Sequence, residues 1–110
     1  MNANELIAQY FDLWNERDAA AREVLMKSVV TEDSTYTDHD YAGLRGYDEL
    51  TEAIGVAHGK FGDLRFSVGS VIDVHHDRAL CSWELGTVAT GYNVVEFEGD
   101  RIRSVVAFIA

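Results

Sequence analysis

Apolar residues recur along this chain at two periods, first near 3.6 and then near two. Leu6, Ile7, Tyr10, Phe11 and Trp14 share one side of a helical wheel and predict a first helix. Asn4 suits its cap, and Glu5 places a carboxylate in its first turn. The segment "NERD" breaks this helix. Asp18 then caps a shorter one, Ala19 to about Lys27, which is expected to bury Val24 and Leu25. Val29 to Thr37 is β-branched and aromatic and predicts a strand near Ser34 to Thr37. "GLRG" reads as a turn. A third helix starts at Tyr47 with Leu50, Ile54 and Ala57 on one face, and close packing would account for Gly55 inside it.

Beyond "HGKFG" the period changes. Leu64, Phe66, Val68, Ile72 and Val74 alternate along a long strand that Ser70 interrupts, and Ala79, Cys81, Trp83 and Leu85 alternate along the next. Tyr92 to Glu98 and Ile102 to Ile109 predict two more, joined by the tight turn "EGD". Helices first and long strands after are the plan of an α+β domain, helices on one face of an antiparallel meander. A sheet that long twists and curls, and around three helices it forms a cup.

Composition narrows the function more than the fold. With 110 residues the chain fits one domain. A formal net charge of -10 repels phosphate backbones and anionic lipid, so neither nucleic acid nor membrane is an expected partner. No apolar run approaches the ~18 residues of a membrane span, and "MNANELIAQYF" lacks the basic and apolar regions of a secretory signal. The single cysteine, Cys81, forms no internal disulfide and reads as a small inward hydrophobe; a cytoplasmic location is the default expectation. There is no proline, so the turns rest on Gly, Asn and Asp.

The ordered segments "YFDLWNERD", "TEDSTYTD", "GLRGYDELTEAI" and "VVEFEGDRIRSVVAF" resemble the NTF2-like superfamily, and within it the SnoaL-like group of small bacterial proteins. The resemblance covers essentially the whole chain. It implies a single NTF2-like domain over 1–110, a cone of three N-terminal helices packed in a curved antiparallel sheet. It also implies a homodimer through the outer sheet face, where Tyr92 and Val94 are apolar. Function stays open, because this fold hosts isomerases, cyclases, dehydratases, hydrolases and non-catalytic binders. The site pattern is similar to that of ketosteroid isomerase. Tyr10 stands five residues before the "N-x-x-D" break, and Asp38 ends the strand after the second helix. Asn93 stands where that enzyme has a protonated aspartic acid, a departure that supplies a weaker donor.

Three reading frames follow. In the first, Asp38 is a general base that loses water as it enters the cup, while Tyr10 and Asn93 hold an enolate-like oxygen of a small apolar carbonyl compound, without any cofactor. In the second the same groups only orient a small hydrophobic ligand. In the third the cup is collapsed and the sheet is an association surface. Trp14, Phe66, Trp83 and Phe97 would line the cup or fill the core, and His58 would reach the cup or cap the third helix. His39 is expected on the face opposite Asp38, and Asp40 in solvent or capping the turn. His75 and His76 diverge if both lie on a strand and, with Asp77, read as a turn rather than a metal pair. No phosphate loop, nucleophile elbow or zinc spacing occurs.

Overall fold

The computed structural model describes residues 2–110. Helix α1, Ala3–Asn15, starts one turn-edge earlier than its sequence suggests: Asn2, not Asn4, is the cap, and its side-chain oxygen accepts from the Glu5 amide at 3.1 Å. Its buried stripe is Leu6, Ile7, Tyr10, Phe11, Leu13 and Trp14. Helix α2, Ala19–Val29, is capped by Asp18, which accepts from the Ala21 amide. The burial expected of Val24 and Leu25 is corrected here, since Val24 is 72% exposed and Leu25 only partly buried. The inward face is Arg22, Met26 and Val29. Arg22 holds that face inward because its guanidinium donates to Thr51 Oγ1 at 2.8 Å and to the Glu16 carbonyl at 2.9 Å, so a charged residue occupies a buried position with two of its donors paired.

Strand β1, Val30–Thr37, pairs with a two-residue strand β2, Leu44–Arg45, where the sequence suggested only a turn. Gly43 and Gly46 flank β2 with φ of +74° and +84°, a backbone that disfavours any other residue. Helix α3, Gly46–Phe61, buries Leu50, Ala53 and Ile54. Gly55 on it faces open space, so the close packing expected there is absent. Strands β3 (Phe66–His75), β4 (Arg78–Leu85), β5 (Ala89–Glu98) and β6 (Arg101–Ile109) complete the sheet.

The order is β2-β1-β6-β5-β4-β3. All ladders are antiparallel except β1 with β6, which run parallel and bring the N-terminal strand beside the C-terminal one. The register shifts twice in β3 against β4, once in β5 against β6 and once in β1 against β6; such bulges bend a sheet and strengthen its twist. The result is the NTF2-like cone, α+β, with helices inside the curved sheet. Ala79, Cys81, Trp83 and Leu85 on β4 and Gly91, Asn93, Val95 and Phe97 on β5 point inward. The far half of β3 leaves the core, with Ile72 and Val74 about half exposed. Among the described residues no helix is long and apolar enough to cross a membrane.

Candidate functional site

Asp38 follows β1 immediately. Period-two alternation puts it on the side of Tyr36 and Ser34, the inward side. Its carboxylate is already engaged. Oδ1 accepts from the amides of Asp40 (2.8 Å) and Tyr41 (3.0 Å), and Oδ2 from the Tyr36 hydroxyl at 2.7 Å. The first two bonds are the side-chain-to-backbone turn that aspartate favours at loop starts. They close a turn whose four residues, 38–41, all border the cavity. His39 and Asp40 both line the cavity, although each is exposed; the expectation that His39 lies on the face opposite Asp38 is corrected, while Asp40 is in solvent and part of the turn as expected. Strand alternation stops applying where the turn begins.

Behind that loop lies a cavity of about 300 Å³, large enough for a small organic molecule. Its wall is mostly aromatic and aliphatic. Tyr36, Trp14, Phe66 and Trp83 follow one another at ring separations of 4.9, 5.8 and 5.9 Å. Tyr10, Asn93 and Asp38 also line it, so the three residues proposed from sequence as the reacting set share one hollow. Three residues of this wall each carry a polar atom that is closed to solvent and makes no hydrogen bond of ordinary geometry: the Tyr10 hydroxyl, the Trp14 indole nitrogen and the Asn93 amide oxygen. Burial pushes the Tyr10 phenol above its ordinary range; the adjacent Trp14 side chain acts the other way without making a bond of ordinary geometry, and Asp38 and Cys81 add to the rise. Burial likewise raises Tyr36, reinforced by Tyr10 and Asp38. Both phenols thus stay protonated and able to donate.

Two of the expected lining residues are elsewhere. Phe97 is buried but pairs with Ile102 beside the β5–β6 turn, four residues or roughly 13 Å along the strand from Asn93. His58 does not reach the cavity. Its Nε2–H donates to the Trp14 carbonyl at 2.6 Å, pinning α3 to the C-terminal end of α1. The premise that His75 and His76 diverge also fails, because His76 leaves the strand with φ of +49° and the two Nδ1 atoms lie 2.8 Å apart, both rings exposed. No cluster of His, Cys, Asp and Glu able to hold a metal occurs among the described residues.

The sequence reading passed over several residues that shape the wall. Tyr36 was findable, standing two before Asp38 on the same strand face. Tyr41, Lys60 and Phe61 were not, since a loop and a helix end bring them in. Asn15, read only as a helix breaker, clamps β3: its amide donates to the Phe66 carbonyl and accepts from the Phe66 amide, both at 2.8 Å. Gly91 is a contact glycine. A Cβ there would fall on the Trp83 ring and the Phe108 carbonyl oxygen, so its absence lets the indole lie against β5 and keeps the cavity open.

The SnoaL-like domain family model matches residues 7–108, nearly the whole of this architecture. The chain belongs to the SnoaL-like family. A SnoaL-like protein from Agrobacterium tumefaciens, provisionally called an isomerase, is 29% identical, with a TM-score of 0.87 over 96% of this chain and 95% of that one. A protein from Jannaschia sp. CCS1, provisionally called a SnoaL-like polyketide cyclase, is 14% identical with a TM-score of 0.79, covering 96% and 83%. A SnoaL-like protein of unknown function from Burkholderia thailandensis is 16% identical with a TM-score of 0.78, covering 98% and 94%. The last two carry the fold alone. No match was found among curated proteins. Membership in the SnoaL-like family accounts for the cone and its hollow, while the chemistry must be argued from the side chains.

Proposed function

We propose that this protein is a cofactor-free acid/base enzyme of isomerase, cyclase or dehydratase type, acting on a small, largely apolar carbonyl compound in the cavity. The observation that carries the reading is that Asp38, Tyr10 and Asn93 all line one largely apolar cavity. In the step proposed, an Asp38 oxygen takes a proton from the carbon next to the carbonyl. The C–H electron pair moves into the C–C bond and the carbonyl pair onto oxygen, giving an enolate-like oxygen that a protonated Tyr10 can stabilise. Asp38 then returns the proton at another carbon, or gives it to a β-hydroxyl that leaves as water while the carbonyl re-forms and the enolate pair becomes the new C=C bond. The provisional description of the A. tumefaciens relative as an isomerase is compatible with such chemistry.

The test is exchange of hydrogens next to the carbonyl of small cyclic ketones in D₂O, followed by NMR. Wild type is expected to accelerate it, and Asp38→Asn to lose ~10²–10⁴-fold of that acceleration, the usual range for a positioned base. Equal rates with both proteins would remove Asp38 from the role.

One observation favours a second reading, ligand binding without turnover. Both Asp38 oxygens already accept hydrogen bonds, two at Oδ1 and one at Oδ2, so the carboxylate is held by the turn and by Tyr36 and only one lone pair on Oδ2 is left for a substrate proton. Under that reading ketones bind and no exchange occurs. In either case the assembly proposed is a homodimer through the outer sheet face. Tyr92 opposite Phe108 and Leu80 beside Val94 and Val106 make an apolar strip there, with Tyr92 and Phe108 about half exposed.

A further inference from the structure

We infer that the compound taken by the cavity is a keto acid, with its ketone and apolar body inside and its carboxylate on the Lys60 ammonium at the outer end of α3. This deepens the proposed function and rests on one part of it, that the cavity holds a small carbonyl compound; it does not depend on turnover.

Helix α3 forms one side of the cavity through Ala53, Val56, Ala57, Lys60 and Phe61, the three-and-four spacing of one helix face. The row begins inside the protein and ends outside it. Ala53 is 3% exposed, Val56 is 56% exposed and Lys60 is exposed. Ala53 and Ala57 carry only a methyl group, which leaves room beside the helix. The seven positions from Ala53 to Lys60 span roughly 10 Å at 1.5 Å per residue, about the length of a bicyclic ketone with one substituent. Val56 and Lys60 stand four residues apart, one above the other, so an apolar side chain on the rim is followed by a cation. An apolar path that ends at a cation suits an apolar body that ends in an anion.

Lys60 is the only lysine or arginine on this wall, and its charge is unspent. The ion pairs among the described residues are Lys27 with Glu23, Arg78 with Glu96, and Arg103 with Glu96. In a chain with 19 acidic residues and nine basic ones, a cavity-lining lysine without a carboxylate partner stands out. Its ammonium lies 5.4 Å from the centre of the Phe61 ring, within cation–π range of a ring that itself lines the cavity. The nitrogen is thus held against the wall, where a ligand can reach it. Lys60 also suits the negative end of α3, but that role alone would leave ligand affinity indifferent to its charge.

The other charged and titratable groups of the wall decide which way round the ligand lies. Asp38, His39 and Asp40 all stand on the turn after β1, not on α3. Two amides and the Tyr36 phenol spread the Asp38 charge, and Asp40 is exposed. A ligand carboxylate placed beside this pair of aspartates would be repelled, so the α3 side is the one left to it. The ketone then lies toward Asp38, as the proposed chemistry needs.

The test compares three probes on one skeleton: 1-indanone, 1-oxoindane-5-carboxylate and the neutral, isosteric 5-carboxamide. Kd is measured by isothermal titration calorimetry at about 0.15 M salt, where charges beyond ~8 Å are largely screened. Wild type is expected to bind the carboxylate about 2–5-fold more tightly than the carboxamide, the range of an exposed ion pair. Lys60→Met should bring that ratio to one or below, and Lys60→Arg should keep it. If the carboxamide binds wild type as tightly as the carboxylate, or the ratio survives Lys60→Met, the inference fails, and 1-indanone binding shows that the cavity reading stands. If no member of the series binds, both fail together.

Discussion

Two glycines should respond to alanine with opposite sign. At Gly91 the new methyl would overlap the Trp83 ring and the Phe108 carbonyl oxygen. One of these must yield. Moving the carbonyl pulls apart the β5–β6 ladder, where Gly91 faces Ile109; moving the indole drives it into the hollow it lines. Overpacking of this kind costs about 1–3 kcal/mol. For 110 residues, an unfolding entropy of ~2.1 cal/mol/K per residue means each kcal/mol lowers Tm by about 4 °C. Gly91→Ala is therefore expected to lower Tm by roughly 4–13 °C. At Gly55, mid-helix in α3, the same methyl would meet open space. Helix propensity alone then applies and favours Ala by ~0.5–1 kcal/mol, raising Tm by roughly 2–4 °C. Calorimetric melts of the two variants beside wild type measure this directly, and 1-indanone affinity should fall in Gly91→Ala but not in Gly55→Ala. A Gly91→Ala protein that melts with wild type and binds as well would refute the claim that this glycine keeps the cavity open.

Two other outcomes are expected. Asn15→Ala leaves the Phe66 amide and carbonyl without the clamp and should cost ~1–3 kcal/mol in urea unfolding, with weaker ligand binding because Phe66 is part of the wall. Burial pushes the Cys81 thiol from its ordinary 9.0 up to about 11, opposed by the Asn93 backbone. The fold thus favours the neutral thiol: that contribution is complete below about pH 9 and is lost as pH rises through about 11. Stability should accordingly fall more steeply across this window in wild type than in Cys81→Ala, and parallel curves would contradict the burial argument.

Much of the architecture is local and therefore legible in sequence. The Ala79, Cys81, Trp83, Leu85 alternation fixes the inner face of β4, and the α1 stripe from Leu6 to Trp14 fixes the face of the helix that meets the sheet. What escaped depends on contacts made at a distance. A helical wheel assigns Val24 inward because it is apolar, whereas the pairing of Arg22 with Thr51, 29 residues away, turns α2 the other way. Nothing local in Gly55 and Gly91 says which one is pressed against a ring. The parallel pairing of β1 with β6 joins opposite ends of the chain. At the site, Asp38, Tyr10 and Asn93 were readable from their slots, but the use of both Asp38 oxygens, and the indole of Trp14 as a polar rather than merely greasy group, appear only when neighbours are known.

The account's central claim is that Asp38 removes a proton next to the carbonyl of a ketone held in the cavity. Deuterium uptake next to the carbonyl of 1-indanone in D₂O, followed by NMR, reads it most directly. The account predicts uptake accelerated by wild type and largely lost in Asp38→Asn; uptake at the same rate with both proteins would contradict it.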